Sequence, residues 1–337
     1  MAIPSSGAVS FSDLRTEFVG GSAAISISSL YRGGSNIRTK ASNNNGVNLA
    51  ASVPTSGTIT FDNFRGTAKA FRYTYTSGAT NQDASNLFGD DYAVNYPKEI
   101  VINAGVELGA TTVTQEALQV NSGASGGITV TNNGTLSGAG AAFFGSIGGD
   151  AFEANTPCTL INNGIIRSGG GTGGSGGQGS YTSSSTPGWS GTYRWMSYGA
   201  ANSSQTGYRQ VAVWANSYVV NSYTTALTVG QYSRSSYVTS SGSYLQFRIT
   251  RTTTSYTNGG YGGAGQGYNQ AASAGTLGGT NGGQGGTGGS YGQTGGTGFD
   301  GNYTDGTAGN AAGKAVKGIG IGYITYTDNG TTLGSTV

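Results

Sequence analysis

Apolar and polar residues alternate in short runs along most of this chain, and no stretch keeps the three-to-four-residue spacing of a long helix. Residues 71–137 carry the runs Phe71-Arg-Tyr-Thr-Tyr-Thr, Glu99-Ile-Val-Ile-Asn, Thr112-Val-Thr, Leu118-Gln-Val-Asn and Ile128-Thr-Val-Thr. They read as β-strands broken by Gly and Asn turns. The phrase Ile128-Thr-Val-Thr-Asn-Asn-Gly-Thr-Leu-Ser-Gly recurs as Thr159-Leu-Ile-Asn-Asn-Gly-Ile-Ile-Arg-Ser-Gly. A strand, Asn-Asn-Gly and a second short strand form a repeated rung, with Asn-Gly expected to supply the positive φ of a tight turn. Stacked rungs predict an acidic β stalk, β-helix-like or layered, over 71–168. Alternation returns in Gln210-Val-Ala-Val-Trp-Ala, Ser217-Tyr-Val-Val and Tyr244-Leu-Gln-Phe-Arg-Ile-Thr. It predicts a small antiparallel β domain at 181–257 with one buried face.

Three N-terminal stretches resemble one another: Gly7-Ala-Val-Ser-Phe-Ser-Asp-Leu-Arg15, Ala24-Ile-Ser-Ile-Ser-Ser-Leu-Tyr-Arg32 and Gly57-Thr-Ile-Thr-Phe-Asp-Asn-Phe-Arg65. The alternation at the head of each predicts a two-sided strand. A following Ser or Asp can cap a helical turn that returns Leu14, Leu30 or Phe64 to the same face. A unit of about ten residues cannot bury its apolar face alone, so the copies must pack on each other or on a partner.

Glycine follows another period. Every third residue from Gly283 to Gly301 is glycine, Gly170, Gly173, Gly176 and Gly179 form a second strip, and Gly259, Gly262 and Gly265 a third. Three residues per turn is the period of the polyproline-II helix, which has no internal hydrogen bonds. Several such strands side by side satisfy their amides laterally. Glycine at one or two of three positions lets the backbones close up, leaving Thr, Ser, Gln and Tyr to face outward. A flexible Gly/Ser linker is the competing reading. Strict periodicity, and the aromatics Tyr261, Tyr268, Tyr291 and Phe299, favour an ordered bundle.

Composition narrows the chemistry. Of 337 residues 64 are glycine, charged residues make up 9%, histidine is absent and there is one cysteine, Cys158. The commonest general base and metal ligand is therefore missing, and no cofactor or metal site is expected. A net charge of +2 gives no drive toward nucleic acid, and no apolar window is long enough for membrane insertion. Charge is segregated: +4 over 1–72, −7 over 73–153, and six Arg with no Lys and no acid over 154–299. Glycan hydrolysis needs two carboxylates about 5–10 Å apart. The candidates Asp90, Asp91, Glu99, Glu107, Glu116, Asp150 and Glu153 all lie outside the aromatic insert, and Asp90 and Asp91 are expected on opposite faces of a strand. A hydrolase is the disfavoured reading.

Two resemblances follow from these motifs. The N-terminal pattern, with Ile3-Pro-Ser-Ser-Gly and Val53-Pro-Thr-Ser-Gly ahead of two copies, resembles the opening of structural proteins of tailed phages. That resemblance covers about residues 3–66 and implies attachment to the virion through Phe11, Leu14, Arg15, Ile27, Leu30, Phe61, Phe64 and Arg65. The glycine strips, together with Gly306-Thr-Ala-Gly-Asn-Ala-Ala-Gly and Tyr323-Ile-Thr-Tyr-Thr-Asp-Asn-Gly near the C-terminus, resemble the glycine-rich distal adhesins of T-even-like phage tail fibres. That second likeness implies receptor-contacting loops held between polyglycine-II helices. Fibres of such phages are trimeric, whereas an intramolecular glycine bundle works as a monomer, so a homotrimer and a monomer both stay open.

The resulting expectation is an all-β protein with glycine-rich polyproline/polyglycine-II helices. It comprises N-terminal virion-attachment repeats (1–70), the acidic β stalk (71–168), a glycine-rich bundle (169–180 and 258–310), an inserted antiparallel β domain (181–257) and a C-terminal β segment (311–337). The insert is rich in Tyr, Ser, Gly, Asn, Trp and Arg, the vocabulary of adaptable binding surfaces. Its candidate receptor contacts are Trp189, Arg194, Tyr198, Tyr208, Arg209, Tyr232, Arg234 and Tyr237: rings to stack on sugars, Arg forks to pair with carboxylate or phosphate. The expected partners are other virion tail proteins at the N-terminus and a host surface glycan or outer-membrane protein at the tip. A capsid decoration or baseplate component is the structural alternative.

Overall fold

The computed structural model describes residues 2–20, 24–142, 145–185 and 244–337, with the strand segments 195–196, 211–213, 218–220, 228–229 and 232–241. It is mostly β, and among the described residues no helix is long and apolar enough to cross a membrane.

The N-terminal repeats do not open on strands. The hydroxyl within each alternating triplet is instead the N-cap of a helical turn: Ser10 before Phe11–Leu14, Ser26 before Ile27–Leu30, Thr60 before Phe61–Phe64. Ser10 N donates to Asp13 Oδ2 (2.7 Å) and Thr60 N to Asn63 Oδ1 (2.8 Å), closing reciprocal capping boxes. Three alternating residues are too few to distinguish a strand from an extended cap leading into a turn. The turns send Leu14, Leu30 and Phe64 into one small core with Phe18, Ile37 and Val53, so the copies pack on each other.

From Phe71 the chain winds through three parallel sheets. Each rung places one strand in each sheet: Lys98–Ile102, Glu107–Gly109 and Leu118–Val120, then Ile128–Asn132, Thr135–Ser137 and Phe152–Ala154. A shorter rung precedes them (Phe71–Tyr75, Ala79–Thr80, Gln82–Asp83) and two follow. Alternate residues of each long strand turn inward, which puts Ile100, Val130 and Leu160 in one buried column. The fourth rung contains a surprise in its order. Its first strands are Cys158–Asn162 and Ile165–Arg167, but its third is Lys314–Lys317, pairing with Phe152–Ala154. Ile324–Asp328, Thr331–Leu333 and Ser335–Thr336 then form the fifth rung. Residues 311–337, expected as a segment of their own, thus complete the coil begun at residue 71, and 168–313 are an insertion within its fourth rung.

The Asn-Asn-Gly corners differ from expectation as well. Gly134, Gly164 and Gly330 are absent from the positive-φ positions, and the strands they join belong to different sheets. Glycine is required there by stacking: a Cβ on Gly164 would meet Gly134 O at 2.1 Å, and one on Gly330 would meet Gly164 O at 2.2 Å. The asparagines form ladders along the corner. Asn132 Nδ2 donates to Asn162 Oδ1 and Asn162 Nδ2 to Asp328 Oδ1, both at 2.8 Å, while each acceptor oxygen also caps the Gly N–H two residues on. These amides are buried, so the ladder is what makes their burial tolerable.

Asp90 and Asp91 lie in a 3-10 turn (Gly89–Asp91) rather than on a strand. Asp91 is buried against the N-terminal module, accepting from Ala41 N (2.6 Å), Asn44 Nδ2 (3.0 Å) and Arg38 Nε (3.2 Å). Burial opposes its charge, but these donors prevail and hold its carboxyl below the usual range.

The inserted glycine region runs back and forth in extended segments, 168–178, 258–267, 272–278, 282–290, 293–300 and 305–313, that form no β ladder. They bond laterally at a period of three. Gly170, Gly173 and Gly176 N donate to Gln266, Gly263 and Gly260 O, and Gly171, Gly174 and Gly177 N to Gln293, Gly296 and Phe299 O. Gly283, Gly286 and Gly289 N donate back to Gly177, Gly174 and Gly171 O. Glycine occupies two of three positions where a segment is enclosed, as in Gly170-Gly171-Thr172-Gly173-Gly174-Ser175, and one of three toward the edge, as in Gly306-Thr307-Ala308-Gly309. The third position does not always face out: Thr172 is buried, and its hydroxyl bonds Ser146 O (3.2 Å) and Asn310 Nδ2 (2.9 Å). The seven-fold glycine strip is not one segment. It folds back at 290–292, where Gly292 has φ +69° and Gln293 N bonds Ser290 O.

Candidate functional site

One end of the glycine bundle rests on the coil. Arg167, paired with Glu107 at 2.9 Å, lies 3.9 Å from the ring centre of Tyr291, and Gly292 N bonds Ser168 O. The opposite end is where the insert leaves and returns. Gly179–Ser185 and Tyr244–Thr257 pair antiparallel from Gly179↔Thr257 to Ser185↔Arg251, and two tight turns of the bundle close around their base. Asn281 Nδ2 and Asn302 Nδ2 both donate to Ser180 O (2.9 and 2.8 Å), and Ser180 N donates to Asn302 Oδ1 (2.6 Å). Thr257 Oγ1 reaches Thr280 O (2.7 Å), and Gln178 N bonds Thr304 Oγ1 (2.7 Å). Asn281 sits at φ 59°, a left-handed conformation that Asn tolerates better than most residues. The base of the insert is therefore clamped by hydrogen bonds from backbone, amide and hydroxyl groups.

Around this clamp the rings face solvent. Tyr181, Tyr256, Tyr261, Phe299 and Tyr303 are exposed, as is Leu277 at 80%. The Tyr256 and Tyr303 rings lie 4.6 Å apart at 52°. The neighbouring Tyr303 phenol holds the Tyr256 hydroxyl above its usual range. Exposed rings on rigid turns offer large contact area at low entropic cost. None of these is expected from the sequence as a receptor contact: Tyr181 and Tyr256 sit at the two edges of the Tyr-rich stretch, Tyr261 and Phe299 read as part of the bundle, and Tyr303 lies at a turn far along the chain. That turn also carries Asp300 and Asp305, both exposed, so this end of the bundle is not free of acid.

Of the residues singled out in the insert, Trp189, Arg194, Tyr198, Tyr208 and Arg209 lie outside the described residues. Tyr232, Arg234 and Tyr237 fall within the strand Tyr232–Ser241 opposite Arg251, Ile249 and Phe247. The register shifts after Arg234 and again after Tyr237.

The N-terminal residues divide into two sets. Leu14, Leu30 and Phe64 are buried in the module's own core. Phe11 and Ile27 are half exposed and Phe61 is 38% exposed; with the first set they line a cleft of about 110 Å³. Phe11 and Phe61 meet edge to face at 4.9 Å. Arg65 Nε pairs with Asp62 (2.7 Å), and its guanidinium also bonds Gly7 O. Arg15 is half-buried beside Phe11.

The carboxylates that sequence reasoning considered for hydrolysis sit on the coil, mostly in ion pairs. Glu99 pairs with Arg72 and Glu107 with Arg167, while Lys317 bridges Asp150 (3.6 Å) and Glu153 (2.8 Å). Glu116 lies beside Glu153. Burial first, and Glu153 second, push Glu116 up to about 7.

Comparison with known families decides the class. The family described as phage tail fibre adhesin Gp38 matches residues 70–337. The chain belongs to that family. It is a tail-fibre adhesin, located in the virion tail, that binds a receptor on the host surface. The match starts at residue 70, so the N-terminal module lies outside it. Searches of curated proteins and of solved structures found no match.

Proposed function

We propose that this adhesin binds its receptor at the far end of the glycine bundle, through the aromatic ring of Tyr181, Tyr256, Phe299 and Tyr303 together with the insert they surround. The glycine segments are polyglycine-II helices acting as a stiff, non-catalytic mount. The receptor contacts of the insert come from Trp189, Arg194, Tyr198, Tyr208, Arg209, Tyr232, Arg234 and Tyr237, and the receptor is a surface glycan or the exposed loops of an outer-membrane protein. The carrying observation is the clamp at Ser180, which ties the root of the insert to two separate turns and surrounds it with solvent-facing rings. Attachment to the fibre uses Phe11, Ile27 and Phe61, exposed apolar side chains that line one cleft of the N-terminal module, with Arg15 and Arg65 at the rim.

The two roles separate experimentally. Purified Tyr256→Ala/Tyr303→Ala protein should keep its melting temperature and lose at least tenfold in binding to host cells. Phe11→Ser/Phe61→Ser protein should still bind cells but fail to assemble onto virions. Unchanged cell binding by the tip variant overturns the receptor assignment.

A further inference from the structure

Away from the bundle, the coil carries a groove of about 340 Å³ that crosses four successive rungs at the point where each enters the first sheet. The strands there are in register: Lys98↔Ile128, Thr159↔Thr129 and Cys158↔Ile324. Register gives the groove two lanes. The residues just before the strands form one lane, Pro97, Gly127, Pro157 and Tyr323: ring, gap, ring, ring. The outward residues one step inside the strands form the other, Glu99, Thr129, Thr159 and Thr325. Neighbours within a lane are separated by the rung spacing of about 4.8 Å.

The chemistry of the lanes is specific. The hydroxyls of Thr129, Thr159 and Thr325 make no hydrogen bond to any described residue. The charges nearby are already matched. Glu99 is held by Arg72 Nε at 2.7 Å, and the buried Lys98 ammonium points inward to Val94, Tyr96 and Ser125 O at 2.7–2.8 Å. The lining thus offers a row of hydrogen-bonding groups, a parallel row of ring faces, a fixed repeat and no unpaired charge. A neutral polymer with hydroxyl edges and C–H faces has the same division.

We propose that this groove binds a segment of neutral linear polysaccharide lying along the coil, as a glycan site separate from the tip. An extended anionic polymer finds no unpaired cation in it, and a peptide strand would run along the strands rather than across them. The site lets the shaft hold a surface polysaccharide while the tip engages its receptor, and it does not depend on what that receptor is.

The test is calorimetric titration of the full-length chain with cellohexaose, laminarihexaose, maltohexaose and hexa-N-acetylchitohexaose at millimolar concentration. At least one should bind. Thr129→Val/Thr159→Val should weaken that binding about tenfold, the loss expected for two hydrogen bonds. Thr129→Ser/Thr159→Ser, which keeps the hydroxyls, and Tyr256→Ala/Tyr303→Ala, which alters only the tip, should bind as the unmodified chain does. Melting curves show that each variant is folded. Binding of none of the four sugars, equal binding by the valine variant, or loss only in the tip variant each overturns the proposal.

Discussion

Replacing Gly174 by alanine tests the bundle where it is most enclosed. Gly174 N donates to Gly296 O at 2.9 Å, and Gly174 O accepts from Gly286 N at 2.8 Å. A Cβ on Gly174 would lie 1.8 Å from Thr307 O and 2.7 Å from Ala308 O. Carbon and oxygen rest near 3.5 Å, so the neighbouring segment must retreat by roughly 1.5 Å. The obstacle is backbone and cannot rotate away. Overpacking alone costs about 1–3 kcal/mol. The retreat also strains the two lateral bonds of that segment, Thr307 N to Ser175 O and Gly298 N to Thr307 O, each worth about 1 kcal/mol net and more if a buried amide is left unpaired. The total is roughly 3–5 kcal/mol, a fall in melting temperature of several degrees for a chain of this size. Thr297→Ala is the control, since Thr297 is exposed on an adjoining segment and such changes stay within about 0.5 kcal/mol. Thermal unfolding followed by circular dichroism reads both. If Gly174→Ala melts with Thr297→Ala, the close packing of backbones is wrong.

The remaining predictions concern the coil and the N-terminal module. Asn162→Ala breaks the corner ladder, leaving Gly164 N without its acceptor and Asn132 Nδ2 with Ile165 O alone; denaturant unfolding should show a loss of about 2–4 kcal/mol. Glu116 has a folded-state value raised to about 7 from an ordinary 4.5. The protonated form is the one folding favours, so its contribution is complete below pH 4.5 and disappears as pH rises through 7. Glu116→Gln removes that contribution to the slope of stability against pH across the window; an unchanged slope contradicts the assignment. Leu30→Ala should cost about 2–5 kcal/mol as a core truncation, while Ile27→Ala should cost almost nothing; equal effects would mean that the repeats do not pack as described.

Features set by local backbone contacts were legible before any coordinates. The glycine period reflects lateral contact at every third residue, and the Asn-Asn-Gly repeat marks the corner of a rung, because identical neighbours stack most easily there. Features set by distant pairing were not. Nothing in Gly306–Lys317 announces that Lys314–Lys317 will sit beside Phe152–Ala154, since parallel partners share no turn. The turn at Gly292 was hidden because it preserves the period while reversing direction. In the N-terminal repeats, Val9-Ser10-Phe11 and Ile59-Thr60-Phe61 satisfy both a strand and a capped turn, and only the reciprocal bonds of Asp13 and Asn63 decide between them. The tip shows the same limit: composition drew attention to the insert, whereas Tyr256 and Tyr303 come together only when two separated segments are folded side by side.

Residue-resolved hydrogen exchange over 282–290 tests the central claim that nearly bare backbones pack into a rigid mount. The amides of Gly283, Gly285, Gly286, Gly288 and Gly289 are bonded to neighbouring segments, and those of Gln284, Thr287 and Ser290 bond to none of the described residues. The account predicts slow exchange at the first group and fast exchange at the second, repeating every three residues. Uniform exchange at the rate of an unstructured peptide would contradict it.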